Sequence, residues 1–180
     1  METQNLKPFL KKNMDVLFIG LNPSDISDGN GHYFSVNKSF WNQLFQSGLI
    51  TKDLDKSTAD EIVFGKNEFN KNRWSYGIAD LVPYISDRVS KNIKVTKNDY
   101  KNLKNLISKY KPKTVCIIHN EVMKCIRKNG PEIKDIKYGQ IGKIFEDLDT
   151  MFFYIPFPHG NAYTTVYKIK LYKELVAFLE

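Results

Sequence analysis

The sequence predicts an α/β fold built on a mostly parallel sheet. Two observations predict it. Short apolar runs at residues 14–19, 76–82, 114–118 and 151–155 have the length and composition of buried strands. Between and after them lie stretches whose apolar residues recur at helical spacing. A third observation points to the working end of the sheet. The first and last runs both lead into irregular loops containing Pro and Gly, and ligands of open α/β sheets bind beyond the carboxyl ends of the strands.

Each element has its own signal. Residues 14–19 read as a buried parallel strand that ends in the sharp turn Gly20-Leu21-Asn22-Pro23-Ser24, followed by a Gly-rich loop over 25–34. Ser39 precedes a helix with Phe40, Trp41, Leu44 and Phe45 on one face, and Gly48 stops it. Residues 51–75 are polar, with a short helix expected over 59–64 and a loop over 65–74. The second strand, 76–82, ends at Pro83, and a polar linker follows. A helix over 97–110 aligns Tyr100, Leu103, Leu106, Ile107 and Tyr110. It ends at Lys111-Pro112, because a residue before proline disfavours helical backbone. The third strand, 114–118, is followed by a helix over 120–128 with Val122, Cys125 and Ile126 inward, stopped by Gly130-Pro131. Residues 131–149 suggest no element. The last strand, 151–155, runs into Pro156-Phe157-Pro158-His159-Gly160-Asn161. A final amphipathic helix carries Val166, Ile169, Leu175, Val176 and Leu179.

Composition narrows the class. The chain has 180 residues, 42% hydrophobic and 26% charged, which suits one soluble globular domain over residues 1–180. No apolar run approaches the roughly 20 residues of a membrane span, and residues 1–12 lack the apolar centre of a secretory signal. Two cysteines, Cys116 and Cys125, exclude a disulfide scaffold or a four-cysteine metal site and read as core thiols. The expected compartment is the cytoplasm. Lys and Arg number 27 against 20 Asp and Glu, a net charge of +7 that suits a polyanionic partner, although most of the excess is lysine. There is no P-loop, no G-x-S-x-G elbow and no H-E-x-x-H, and Gly29-Asn30-Gly31 does not continue to a dinucleotide fingerprint. His32, His119 and His159 show no metal-ligand spacing, so neither metal nor cofactor is expected.

The polar groups gather at strand ends: Asn22 and Ser24 after the first, Asp80 at the second, His119 and Asn120 after the third, His159 and Asn161 after the last. Here the residues resemble a known family. Gly20-Leu21-Asn22-Pro23-Ser24 is similar to motif 1 of the uracil-DNA glycosylase superfamily, in the form used by its mismatch-specific uracil/thymine branch. The residues Gly31-His32-Tyr33-Phe34-Ser35, followed by Phe40-Trp41, are similar to that branch's aromatic loop and helix start. Residues 76–82 are similar to its second strand, and Pro158-His159-Gly160-Asn161 falls where motif 2 belongs. Two departures stand out. Ser24 replaces the branch's Gly, and motif 2 is divergent: His159 matches other branches, but Gly160 replaces their Pro.

The resemblance implies a three-layer α/β/α domain with a central, mainly parallel four-stranded sheet. It implies a monofunctional DNA glycosylase of base excision repair that hydrolyses the N-glycosidic bond of uracil or a related damaged base, acting as a monomer on flipped DNA bases. Asn22 would hold the attacking water. His159, as a neutral imidazole, would donate a hydrogen bond to the leaving base. Phe34, and second to it Tyr33, would stack on the base. Asp80 stands where some branches carry a base-reading Asn; ionised, it would be acceptor-only and favour a ring N–H or an exocyclic amine. Gly20, Leu21, Pro23 and Ser24 would shape the substrate pocket, with Ser24, Lys38 and Lys168 as phosphate contacts. Gly160, Asn161 and Tyr163 lie where the family meets DNA, Tyr163 either as a wedge or as a packing residue at the last helix. Asn120 is expected to cap a helix and His119 to be structural. Two rival readings remain open: a nucleic-acid binder on the same fold without catalysis, and a nucleoside or nucleotide hydrolase.

Overall fold

The computed structural model describes residues 5–133 and 136–180. Its centre is strand β1 (Val16–Gly20), flanked by parallel partners β2 (Tyr76–Asp80) and β3 (Thr114–Ile117). Parallel β5 (Met151–Tyr154) extends the sheet beyond β3, and β4 (Gly139–Lys143) closes that edge antiparallel to β5. The order is β2-β1-β3-β5-β4. Among the described residues, five α-helices accompany it: α1 (Asp25–Asn30), α2 (Ser39–Ser47), α3 (Lys97–Tyr110), α4 (Asn120–Asn129) and α5 (Thr165–Leu179).

The period-2 alternation of strand side chains divides the core into two layers. Val16 and Phe18, Cys116 and Ile118, Phe153 and Ile155 pack on one face with the aromatic side of α2 and with Leu171, Tyr172 and Leu175 of α5. Leu17 and Ile19, Val115 and Ile117, Phe152 and Tyr154 pack on the other with Leu103 and Ile107 of α3 and Val122 and Ile126 of α4. Helices therefore cover both faces, and the four parallel strands are largely apolar because neither side meets water.

Local chemistry sets the helix ends. Thr96 and Asp99 form a reciprocal capping box on α3. Lys111 takes a left-handed conformation at the other end, before Pro112. Thr164 caps α5 by accepting from the Tyr167 amide.

The structure corrects several expectations. The sheet has five strands, because β4 lies within 131–149. Its Gly139-Gln140-Ile141-Gly142-Lys143 sequence has little strand character, and pairing along β5, with a bulge between Gln140 and Gly142, supplies the order. The supposed loop after Ser24 begins as α1, since Ser24 caps it by accepting from the Ser27 amide at 3.1 Å. The short helix expected over 59–64 forms, with its main part a π-helical segment at Glu61–Lys66. Phe45 and Val166 face outward, at 40% and 78% exposure, because the apolar stripes of α2 and α5 run along other residues.

Register brings the carboxyl ends of the parallel strands level. Gly20 pairs with Asp80, Ile19 with Ile117, and Ile117 with Tyr154. The loops after β1, β3 and β5 and the end of β2 therefore converge on one edge.

Candidate active site

A cavity of about 360 Å³ opens at this edge. Its wall is built by the turn after β1, the loop after α1, the end of β2, and the loop after β5.

The Gly20–Ser24 turn is tied to the segment after β2. Gly20 and Leu21 carbonyls accept from Leu81 and Val82 amides, and the Pro23 carbonyl accepts from Asp87. Asn22 is fixed at the centre of this lacing. Its Nδ2 donates to the carbonyls of Pro23 and Asp87, both at 2.8 Å, with Ile85 at 3.4 Å. Only an amide nitrogen suits carbonyl acceptors, so Oδ1 is oriented as an acceptor, and it takes no hydrogen bond among the described residues. Ile85 and Asp87, which hold it from the far side, lie in what reads in the sequence only as polar linker.

Asp80 lies behind this turn at the end of β2, half-buried as a residue but with its Oδ2 out of reach of solvent. A Cβ at Gly20 would stand 2.4 Å from Asp80 Oδ1, so glycine is required for the carboxyl to lie across the paired strand. Burial raises the Asp80 pKa to about 7, partly opposed by a hydrogen bond from Tyr33. Oδ2 has no hydrogen-bond partner among the described residues. The acceptor-only behaviour expected of the ionised form is then only part of the picture: near neutral pH the protonated form, with a donor, is also populated.

Tyr33 and Phe34 part company. Tyr33 also lines the cavity but is only 5% exposed, packed into the core with its hydroxyl at Asp80. Phe34 is partly buried at the cavity wall, stacked on Phe40 at 4.1 Å and edge-on to His159 at 5.8 Å. Its φ of 52° is a strained backbone for a bulky residue, which the surroundings must enforce. Asp60 does the enforcing next door. This fully buried carboxylate accepts from the Tyr33 amide at 2.8 Å and lies 3.0 Å from His32 Nδ1. Sequence reading missed it because it stands in the polar stretch 51–75, where nothing marks burial.

The opposite wall is the loop after β5. His159 is in contact with Phe34 and with Phe157, 5.5 Å between centroids, and Phe157 also packs against His119 at 5.2 Å. Burial lowers the His159 pKa, and the Lys168 charge lowers it further, against a hydrogen bond to the Asn37 backbone that raises it. The ring is therefore neutral at pH 7, and its buried Nε2 has no partner among the described residues. The loop is held by two buried side chains. Gln43 Nε2 donates to the Pro158 carbonyl at 3.0 Å, and Lys168 Nζ donates to the carbonyls of Pro158, at 3.1 Å, and Gly160. Gln43 was not anticipated: its polar side chain sits on the aromatic face of α2, a placement no pattern reveals.

Other expected contacts are placed differently. Lys168 is 2% exposed and spends its ammonium on loop carbonyls, so it braces the loop instead of facing a phosphate. Lys38 is ion-paired to Asp53 at 2.7 Å. The Ser24 hydroxyl caps α1. His119, not Asn120, caps α4, with Nδ1 accepting from Glu121 at 3.2 Å. Burial lowers the His119 pKa to about 4. Asn161 and Tyr163 are exposed on the loop before α5. Arg88 and Asp25, missed in sequence, form a bidentate pair at the cavity mouth.

A family model described as the uracil DNA glycosylase superfamily matches residues 7–180. The chain belongs to that superfamily. The match spans every strand and helix described above, so the α/β sheet and the lined cavity at its carboxyl edge are those of a uracil DNA glycosylase superfamily member. No curated protein matches the sequence. Membership supports a DNA glycosylase type of activity, a hydrolase of DNA repair with DNA as partner.

Proposed function

We propose that this superfamily member is a monofunctional DNA glycosylase that hydrolyses the N-glycosidic bond of uracil, or of a related damaged or mismatched base, after the nucleotide is flipped from DNA. The observation that supports it above others is Asn22, whose amide nitrogen is pinned by backbone carbonyls while its oxygen is left as an oriented acceptor beside the cavity.

In this reading Asn22 Oδ1 holds a water against C1′ of the deoxyribose. The water oxygen attacks C1′, the C1′–N bond breaks, and the electron pair leaves with the base. The water's surplus proton passes to solvent, since an amide is too weak a base to keep it. Charge gathers on a carbonyl oxygen of the leaving base, where His159 donates a hydrogen bond from Nε2. Its lowered pKa keeps the imidazole neutral, and Nε2 donates only in the tautomer that carries the single ring proton there, with the hydrogen bond to the Asn37 backbone released when the base enters. Phe34 supplies the stacking face. Protonated Asp80 presents an O–H donor beside a C=O acceptor, which fits a ring N–H next to a carbonyl, the edge uracil offers. No lysine lines the cavity among the described residues. The product is accordingly an abasic site without strand cleavage. The pairing of a mismatch-type motif 1 with His159 makes this a divergent branch. It acts as a monomer in the cytoplasm, where its two buried free thiols stay reduced.

The test is single-turnover release from labelled oligonucleotides carrying uracil opposite guanine, uracil opposite adenine, single-stranded uracil, thymine opposite guanine, or hypoxanthine. Release that falls by about 100-fold or more in Asn22→Ala supports the reading, by the magnitude typical of a lost polar catalytic contact. No release from any substrate at enzyme excess overturns it in favour of a non-catalytic binder.

A further inference from the structure

The cavity does not end at His119 and Phe157. Both residues also line a second hollow of about 460 Å³, which continues to Tyr138 and Tyr163. Those two tyrosines in turn line a third, of about 580 Å³, running over α4. The three form one groove leading away from the base site.

The far end of that groove has two properties together. First, it is a ladder of tyrosines. Tyr154 and Tyr138 lie 4.4 Å apart, Tyr138 and Tyr163 4.9 Å, and Tyr163 and Tyr167 5.6 Å with nearly parallel rings. Tyr163 is 41% exposed, so its ring is open to a ligand. Second, it is basic. Lys124, Arg127 and Lys137 line it, and no carboxylate does among the described residues. Lys124 shares its charge with Glu121 at 2.7 Å, whereas Arg127 has no ion pair among the described residues. Lys124 and Arg127 stand one turn apart on α4, on the side facing the tyrosines.

Aromatic faces beside cations are the combination that binds unpaired nucleotides: bases stack on the rings and the backbone follows the charge. A duplex keeps its bases stacked on each other and offers the rings nothing. We propose that the Tyr138–Tyr163–Tyr167 face with Arg127 and Lys124 is a track for single-stranded DNA flanking the flipped nucleotide. The protein then prefers targets whose flank is unpaired. This rests on the reading of the first cavity as a site for a base in DNA. It assigns Tyr163 to stacking along one strand, in place of a wedge driven into a duplex.

The test uses undamaged DNA, so it does not depend on base release. Fluorescence anisotropy compares labelled oligothymidine as a single strand and as a duplex with its complement, over a salt series. Proteins are wild type, Tyr163→Ala, Tyr163→Phe, Tyr167→Ala and Arg127→Gln, each first checked for an unchanged melting temperature. Wild type is expected to bind the single strand more tightly than the duplex. Tyr163→Ala and Tyr167→Ala should each weaken single-strand binding by about tenfold, the scale of one lost base–aromatic stack, with the duplex nearly unaffected. Tyr163→Phe should retain it. Arg127→Gln should reduce the slope of log K against log salt by about 0.7. Wild type that favours duplex, or a Tyr163→Ala loss equal on both forms, overturns the track. If base release persists while Tyr163→Ala binds single strands like wild type, only the track falls. If neither DNA form binds, the track falls together with the DNA reading on which it rests.

Discussion

Replacing Asp80 with asparagine should stabilise the protein at pH 8 and leave it nearly unchanged at pH 4. Asp80 is half-buried with Oδ2 out of reach of solvent, and its pKa is raised from 3.8 to about 7 by loss of hydration, with the Tyr33 hydrogen bond only partly opposing this. In the unfolded chain the group ionises near its ordinary value. Between about pH 4 and pH 7 the folded state therefore holds one more proton than the unfolded state, and stability declines as pH rises. Above pH 7 both states are ionised and the penalty is complete. At about 1.4 kcal/mol per pH unit it reaches roughly 4 kcal/mol, an upper figure because the site relaxes around the charge. Asparagine has the same shape, can accept from Tyr33, and cannot ionise. For a chain of this length the gain at pH 8 corresponds to roughly 10 °C in melting temperature. The assay is thermal unfolding of both proteins in parallel from pH 4 to pH 8. The difference should open steadily between pH 4 and pH 7 and then level off. A difference independent of pH, or a destabilised variant at pH 8, refutes the assignment of a desolvated carboxyl held by Tyr33 alone.

Other outcomes follow from the same geometry. Uracil release by the wild type should decline above pH 7 as Asp80 loses its donor, and Asp80→Asn should remove that decline; the pH profile of single-turnover rates decides it. Gly20→Ala should impair release, because its Cβ would stand 2.4 Å from Asp80 Oδ1, and Gly20→Ala with Asp80→Ala should relieve the destabilisation; a double-mutant cycle in urea measures the coupling. Asp60→Ala should cost about 3 kcal/mol by leaving the buried Tyr33 amide unpaired, read as a lower midpoint in urea. Lys168→Met should move the His159 titration toward higher pH, since Lys168 is one of the two causes that depress it, and NMR titration of the ring follows this directly.

Much of the frame was legible in residue order. The four parallel strands read as apolar runs because burial on both faces leaves no polar alternation to confuse them. Helix ends at Lys111-Pro112 and Gly48 were marked by backbone chemistry that acts locally. β4 was not legible, because an edge strand rich in glycine gains its order from the neighbour it pairs with. Nor was α1, whose six residues carry no apolar stripe and depend on the Ser24 cap.

At the site, sequence nominated Asn22, Phe34, Asp80 and His159, and the fold brings all four to one cavity. It could not tell Tyr33 from Phe34, adjacent aromatics that both line the cavity, of which Tyr33 is buried with its hydroxyl at Asp80 and Phe34 is the more open. It read Lys168 as a phosphate contact, because a lysine on an amphipathic helix is usually solvated. Here its stem is buried and its ammonium meets loop carbonyls from a strand-end ten residues away. Asp60 and Gln43 were invisible, since their partners, the Tyr33 amide and the Pro158 carbonyl, lie 27 and 115 positions away in the chain.

The sequence by itself determined the α/β class, the family motif at the end of the first strand and the residues able to do chemistry, since strand burial, turn geometry and side-chain type are local properties. Only the tertiary structure decided which way each polar group is aimed and which proton it holds. Asn22 is oriented by carbonyls from the segment after β2. Asp80 is raised by burial across Gly20, and His159 is kept neutral by burial and by Lys168 from α5. Orientation and protonation depend on distance and on the exclusion of water, and both arise between segments that the chain order keeps far apart.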